Sequence, residues 1–148
     1  MKFYADVMLA RLGRWLRLIG FDTVIAEETL PDKEIINLAK KQGRILLTRD
    51  KKLYQFSEKK VKSYYVKSKN IADQLIDVVN HFSLEISFPE KTRCPLCNGG
   101  LQIVERTEEV PVGVKSDVFW KCGECRKVYW KGSHWIRIIK MIEEITKR

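Results

Sequence analysis

The chain has 148 residues and a net charge of +9, and its 45% apolar and 32% charged residues exclude a disordered or low-complexity protein. No apolar stretch reaches the roughly 20 residues that cross a bilayer, and charges interrupt the amino terminus before a signal-like segment develops, so we expect a cytoplasmic protein without a membrane partner. The basic balance favours a polyanionic partner such as nucleic acid, although a simply solvated basic surface gives the same composition.

Strand-like runs alternate with helical patterns along the first part of the chain. In chain order we predict strands at 2–5, 23–26, 45–48 and 63–66, each followed by a helix, at 9–19, 31–42, 51–60 and 71–82. This alternation predicts βαβ units and an α/β fold with a mainly parallel sheet. Residues 83–93 resemble a linker, and a final amphipathic helix begins near Ser133. We therefore predict two domains, 1–88 and 89–148.

Four cysteines form two Cys-x-x-Cys motifs in the second domain. In each motif two sulfurs of one turn reach the same ion, and two motifs complete the tetrahedral thiolate shell that zinc prefers. Because such a shell leaves no open position, we predict a structural zinc ribbon, with a redox dithiol or an iron centre as alternatives. His134 is interpreted as a helix-start or surface residue. The predicted zinc ligands are Cys94, Cys97, Cys122 and Cys125.

Acidic residues lie at or soon after the ends of the predicted strands. Asp6 and Asp50 follow the first and third strands, and Asp32 and Asp73 lie at the starts of the helices after the second and fourth. The carboxyl ends of parallel strands meet at one edge, so we expect these acids to converge. Clustered carboxylates repel each other and are best stabilised by magnesium or manganese. Such a metal site indicates phosphodiester hydrolysis.

Each acid also has a structural interpretation. Asp32 could simply cap its helix, and Asp73 could serve only the helix dipole. Asp6 and Asp50 end apolar strands, where a lone charge is costly, and this favours function. Glu34 is interpreted as solvated or secondary.

Basic residues surround the same predicted edge. At about 100° per residue, three arginines of the first helix lie opposite its apolar face, and two basic residues flank Asp50. They form either a phosphate-binding rim or an ordinary solvated surface. These residues are Arg11, Arg14, Arg17, Arg49 and Lys51.

Several segments together resemble the PIN-like ribonuclease family named for the carboxyl-terminal domain of the Mut-seven exonuclease. They are Asp6-Val-Met-Leu-Ala-Arg-Leu-Gly-Arg-Trp-Leu-Arg-Leu-Ile-Gly20, Leu47-Thr-Arg-Asp50, the two cysteine motifs and Tyr129-Trp-Lys-Gly-Ser-His-Trp135. The resemblance implies a three-layer α/β/α PIN-like domain, an acidic metal-dependent ribonuclease site and an appended zinc ribbon.

The resemblance also implies roles for individual residues. Asp6 and Asp50 match acidic positions of the family, Asp32 resembles the helix acid with Glu34 as its competitor, and Asp73 supports them. Thr48 and Arg49 lie inside the motif and would orient water or phosphate.

Two functional hypotheses follow. The first is a magnesium- or manganese-dependent ribonuclease whose zinc ribbon aids folding and RNA docking. The second is a noncatalytic RNA-binding or adaptor protein, in which the ribbon and arginines bind RNA and the acids only cap helices.

Overall fold

The computed structural model describes residues 1–147, which form two compact units, Met1–Asn98 and a second that begins at Gly99. The first unit is built on four parallel strands, β1 (Phe3–Ala5), β2 (Thr23–Ile25), β3 (Ile45–Thr48) and β4 (Ser63–Tyr65), in the order β2-β1-β3-β4. Its helices are α1 (Ala10–Leu18), α2 (Asp32–Gln42), α3 (Lys51–Ser57) and α4 (Ile71–His81), and a 3-10 helix, Val7–Leu9, precedes α1. The predicted α/β fold is confirmed.

Helices cover both faces of this sheet, so the central strands β1 and β3 are buried along their whole length. Because successive strand residues point to opposite faces, Tyr4 and Leu46 pack with Leu53 and the apolar side of α2, whereas Phe3 points the other way. The Phe3 ring lies 5.5 Å from the ring of Phe82, directly after α4. The first unit therefore has three layers.

Two glycines explain the local geometry around α1 and α2. A Cβ on Gly13 would lie 2.7 Å from Ile25 Cγ1, so only glycine lets α1 approach the sheet this closely. Gly43 ends α2 with a left-handed backbone, at φ 65°. The third helix, α3, ends at Ser57, earlier than predicted, where the Ser57 hydroxyl donates to the Tyr54 carbonyl at 3.0 Å.

The second unit contains the antiparallel strands β5 (Leu101–Val104), β6 (Phe119–Cys122) and β7 (Val128–Trp130), followed by α5 (Ser133–Lys147). Phe119 and Val128 belong to its small apolar cluster, and the rings of Trp120 and Trp135 stack at 5.1 Å. Within residues 1–147, no helix combines the length and the apolarity needed to span a bilayer.

The compact units divide after Asn98, whereas the predicted domains divide after residue 88. Hydrogen bonds hold the intervening segment to the end of α1. The Arg93 amide donates to the Arg17 carbonyl at 2.9 Å, and the Thr92 hydroxyl donates to the Leu18 carbonyl at 2.7 Å. These contacts join residues far apart in sequence, and local patterns do not reveal them.

Candidate active site and metal centre

Asp6 lies at the carboxyl end of β1, next to the end of β3. Its amide donates to the Leu47 carbonyl at 3.0 Å, which extends the pairing of the two strands by one residue. Its side chain caps the 3-10 helix, because Oδ1 accepts a hydrogen bond from the Met8 amide at 2.7 Å. Only 4% of Asp6 is exposed, so this carboxylate is held in one place.

Thr48 links the two acids that follow β1 and β3. Its hydroxyl, fully buried, donates to Asp6 Oδ2 and accepts a hydrogen bond from the Asp50 amide at 3.0 Å. A hydroxyl has one donor and two acceptor sites, so both bonds can exist together. The predicted convergence of Asp6 and Asp50 at one edge therefore has a physical basis in a shared threonine.

Asp50 also caps a helix. Its Oδ1 accepts from the amides of Lys52, at 2.9 Å, and Leu53, at 3.3 Å. These bonds offset the cost of placing a carboxylate after a buried strand, so burial alone does not demand a metal at this position. A carboxylate has about four lone-pair sites, and hydrogen bonding still leaves each acid capacity to bind a cation.

Asp32 is exposed in the first turn of α2, and the helix cap is Pro31. Asp32 therefore does not cap its helix, because it is the first residue of α2 and follows the cap. Asp32 lines a shallow depression of about 260 Å³ together with Lys33, Lys52 and Phe56. Since Lys52 lies two residues after Asp50, Asp32 borders the surface at the start of α3.

Asp73 and Glu34 are exposed in the first turns of α4 and α2. The cap of α4 is Asn70, whose Oδ1 accepts from the Ala72 amide at 2.9 Å. Among residues 1–147, the four cysteines are the one set of three or more candidate ligands gathered around a single point. The four predicted aspartates therefore do not form a preassembled cluster.

The predicted basic rim is only partly exposed. Arg11, Arg14 and Lys51 are exposed, and Arg49 is half-buried. The prediction of an exposed Arg17 is wrong, because only 6% of this residue is accessible. The helix α1 is covered on two sides, whereas the spacing of its apolar residues predicts only one buried side.

The Arg17 guanidinium binds the segment that carries the first cysteine motif. Its Nε donates to the Thr23 carbonyl and its Nη1 to the Pro95 carbonyl, both at 2.8 Å. Pro95 lies between Cys94 and Cys97, so this arginine holds the turn that presents both thiols. Burial lowers the pKa of Arg17, and the two cysteines act in the opposite direction.

A second set of contacts fixes the end of the same turn. Asn98 has a left-handed backbone at φ 73°, and its Nδ2 donates to Asp22 Oδ1 at 2.6 Å. Arg44 also binds Asp22 Oδ1, at 2.8 Å. Burial alone would raise the pKa of Asp22, but the hydrogen bonds from Arg44 and Asn98 outweigh it and lower the pKa. Sequence patterns missed this network.

The Sγ atoms of the four cysteines all lie within 4.8 Å of one another. Zinc–sulfur bonds of about 2.3 Å place tetrahedral sulfurs about 3.8 Å apart, so this cluster is compatible with zinc. The residue after each motif, Asn98 or Arg126, has a left-handed backbone, with φ values of 73° and 68°. The two turns thus share one geometry, and four thiolates would complete a closed shell around a structural ion.

Comparison with known proteins identifies the family. The family model described as the Mut7-C RNAse domain matches residues 1–142, whereas no curated protein and no solved structure matched the chain. The description names an RNase, which points to nuclease activity and to RNA as the substrate. Because the match covers 142 of 148 residues and the predicted resemblance is confirmed, the chain belongs to the Mut7-C RNAse domain family.

Proposed function

We propose that this protein is a metal-dependent ribonuclease whose site is centred on Asp6 and Asp50. The observation that carries the proposal is the Thr48 hydroxyl, which binds the Asp6 carboxylate and the Asp50 amide. It fixes two acids at the ends of adjacent parallel strands, in a chain that belongs to an RNase family. The family supports nuclease chemistry, and the acid pair supports its location.

Magnesium or manganese suits this arrangement. These ions are commonly held by one or two carboxylates, with water and substrate phosphates as the other ligands. Asp6 and Asp50 would hold the ion. Asp32, on the adjoining surface, would be a further ligand of the same ion, and Asp73 would have a supporting role. When bound, such an ion lowers the pKa of a coordinated water and neutralises charge on the attacked phosphate.

The chain's own residues would position the RNA. Arg11, Arg14 and Lys51 are exposed, and we assign them to phosphate contacts along the backbone. Among the described residues, the buried Nε of Arg49 has no hydrogen-bond acceptor. A charged donor without an acceptor is costly, so we propose that the Arg49 side chain moves when RNA binds and that a phosphate then supplies the acceptor. The zinc ribbon would maintain the fold and add an RNA-docking surface.

Cleavage of single-stranded and structured RNA, with added magnesium or manganese, tests the proposal. Asp6→Asn and Asp50→Asn should each lower the rate more than about 100-fold, since loss of an outer-shell partner alone costs about 10- to 100-fold. Glu85→Gln, at an exposed position of the same unit, is the charge-matched control and should retain the wild-type rate. Equal activity in all four proteins would indicate a contaminating nuclease and reject the site.

A specific observation favours a second candidate, a noncatalytic RNA-binding or adaptor protein. Both Asp6 and Asp50 cap helices, so each has a structural role that needs no metal. Calorimetry separates the two functions. Competition between magnesium and calcium at one site, abolished by Asp50→Asn, would favour the enzyme, whereas RNA binding without such a site would favour the adaptor.

A further inference from the structure

A shallow depression beside the acid edge combines an exposed aromatic ring with cationic side chains. Phe56 lies on α3 with 54% of its surface accessible, and the depression of about 260 Å³ is lined by Phe56, Lys33, Lys52 and Asp32. The Nζ of Lys60 lies 3.9 Å from the centroid of the Phe56 ring. Three lysines therefore surround one exposed phenyl ring.

The packing of α3 against the sheet does not depend on Phe56. Leu53 and Ser57, on the inner face of the same helix, are 2% and 0% exposed, so the core contacts of α3 are made by other residues. An exposed phenyl ring contributes little to stability, but it offers a flat apolar face. A neighbouring ammonium group interacts with such a ring through its quadrupole and remains available to an anion.

An unpaired nucleotide has the chemistry that matches this surface. A nucleobase stacks on an aromatic face with little dependence on its identity, and a phosphate binds lysine. Bases within a duplex are already stacked on each other, so only a single-stranded segment can offer a base to a protein ring. The depression lies next to the proposed metal site, because the Lys52 amide donates to Asp50 Oδ1 at 2.9 Å.

We propose that Phe56, Lys33 and Lys52 form a subsite for one unpaired nucleotide, with its base on the face of the Phe56 ring opposite Lys60 and its phosphate on the lysines. The inference deepens the proposed function, on which it rests for the presence of RNA at this edge. It names single-stranded RNA as the substrate class. It also makes Phe56 a specificity-determining residue, since the ring selects unpaired over paired strands.

The experiment measures binding of a fluorescently labelled 12-nucleotide RNA, single-stranded or annealed to its complement, by the zinc-loaded full chain without added magnesium or manganese. Phe56→Leu should raise the Kd for the single strand about 5- to 150-fold, as expected for loss of one base-stacking contact, and change the duplex Kd less than twofold. Phe56→Trp should bind the single strand at least as tightly as the wild type. Both substitutions are at an exposed position, and circular dichroism would verify their folding.

Matched controls isolate the subsite. Asn80→Ala shortens an exposed side chain of α4 in the first unit, outside the proposed RNA contacts, and should leave both Kd values unchanged. Lys52→Gln should weaken single-strand binding more than Lys40→Gln, since Lys40 lies in the last turn of α2, away from its Asp32 end.

Three results would overturn the subsite. They are unchanged single-strand binding by Phe56→Leu, an equal loss for both RNA forms, and failure of Phe56→Trp to retain binding. Unchanged binding would leave the ring as a contact for a protein partner instead. Since no divalent ion is added, the result is independent of cleavage. Loss of cleavage in Asp6→Asn with unchanged binding by Phe56→Leu would reject the subsite and leave the proposed nuclease standing.

Discussion

Replacing Arg17 by methionine removes a buried guanidinium that holds the first cysteine turn to the sheet. Its two hydrogen bonds, to the carbonyls of Thr23 and Pro95, are both 2.8 Å long. Hydrogen bonds from a charged donor contribute about 1.5–3 kcal/mol each, so we expect a loss of about 3–6 kcal/mol in the free energy of unfolding. The lower end of this range applies because methionine fills much of the space that arginine leaves. Domains are stable by only about 5–15 kcal/mol, so the effect is large.

Urea unfolding of the zinc-loaded chain, followed by circular dichroism, measures this loss. Arg14→Met is the matched control, because Arg14 is exposed on the same helix and should change the free energy of unfolding by less than about 0.5 kcal/mol. Arg17→Lys should fall between the two, since lysine keeps the charge but lacks the planar fork. A change below about 1 kcal/mol in Arg17→Met would refute the structural role of the buried guanidinium.

The same substitution should weaken zinc binding. The Pro95 carbonyl lies between Cys94 and Cys97, and loss of an outer-shell partner typically reduces metal affinity about 10- to 100-fold. Competition with a chromogenic chelator measures the affinity directly. Zinc affinities of Arg17→Met and Arg14→Met that agree within a factor of two would contradict the proposed link between α1 and the cysteine turn.

Three further predictions concern other parts of the molecule. Thr48→Val removes the hydroxyl that binds Asp6, so it should slow RNA cleavage about 10- to 100-fold, whereas Thr48→Ser should retain most of the activity. Equal cleavage rates for Thr48→Val and the wild type would contradict the role of Thr48. Burial and the 2.6 Å hydrogen bond to Asp77 raise the pKa of Tyr64 to about 12. The raised value favours the neutral phenol in the folded state, so the stability contributed by Tyr64 should be complete below about pH 10 and lost as the pH rises toward 12. Tyr64→Phe should accordingly be about 1 kcal/mol less stable than the wild type at pH 8 in urea unfolding. A difference in the free energy of unfolding that persists unchanged toward pH 12 would show that it does not come from the neutral phenol of Tyr64. Cobalt in place of zinc should give thiolate-to-cobalt absorption. The rate of RNA cleavage should stay within about twofold of the rate of the zinc-loaded protein, because a closed four-thiolate shell takes no part in the chemistry. A much larger change in this rate would contradict a structural metal.

Local sequence patterns were sufficient for the fold and for part of the candidate site. Alternating strand and helix patterns identified the parallel sheet because each pattern reports on which face of an element is buried. The cysteine spacing identified the four-cysteine cluster because two short turns can supply four thiolates. Asp6 and Asp50 were placed at one edge because parallel strands end on the same side.

Long-range contacts explain what the patterns missed. Arg17 shares a helical face with exposed arginines, yet a segment more than 70 residues later covers it, as its hydrogen bond to Pro95 at a sequence separation of 78 shows. The role of Thr48 depends on strand order, which places β1 beside β3. The local motif around Asp32 also allows a capping role, but Pro31 is the cap and Asp32 is the first residue of α2. None of these contacts leaves a periodic signal in the chain.

The proposed acid pair is tested most directly by the position of a bound metal. Crystals soaked with manganese, with diffraction data collected above and below the manganese edge, would locate the ion by its anomalous signal. We predict a manganese peak in contact with the carboxylates of Asp6 and Asp50, and loss of that peak in Asp50→Asn. A well-occupied manganese site elsewhere, with none at this pair, would contradict it.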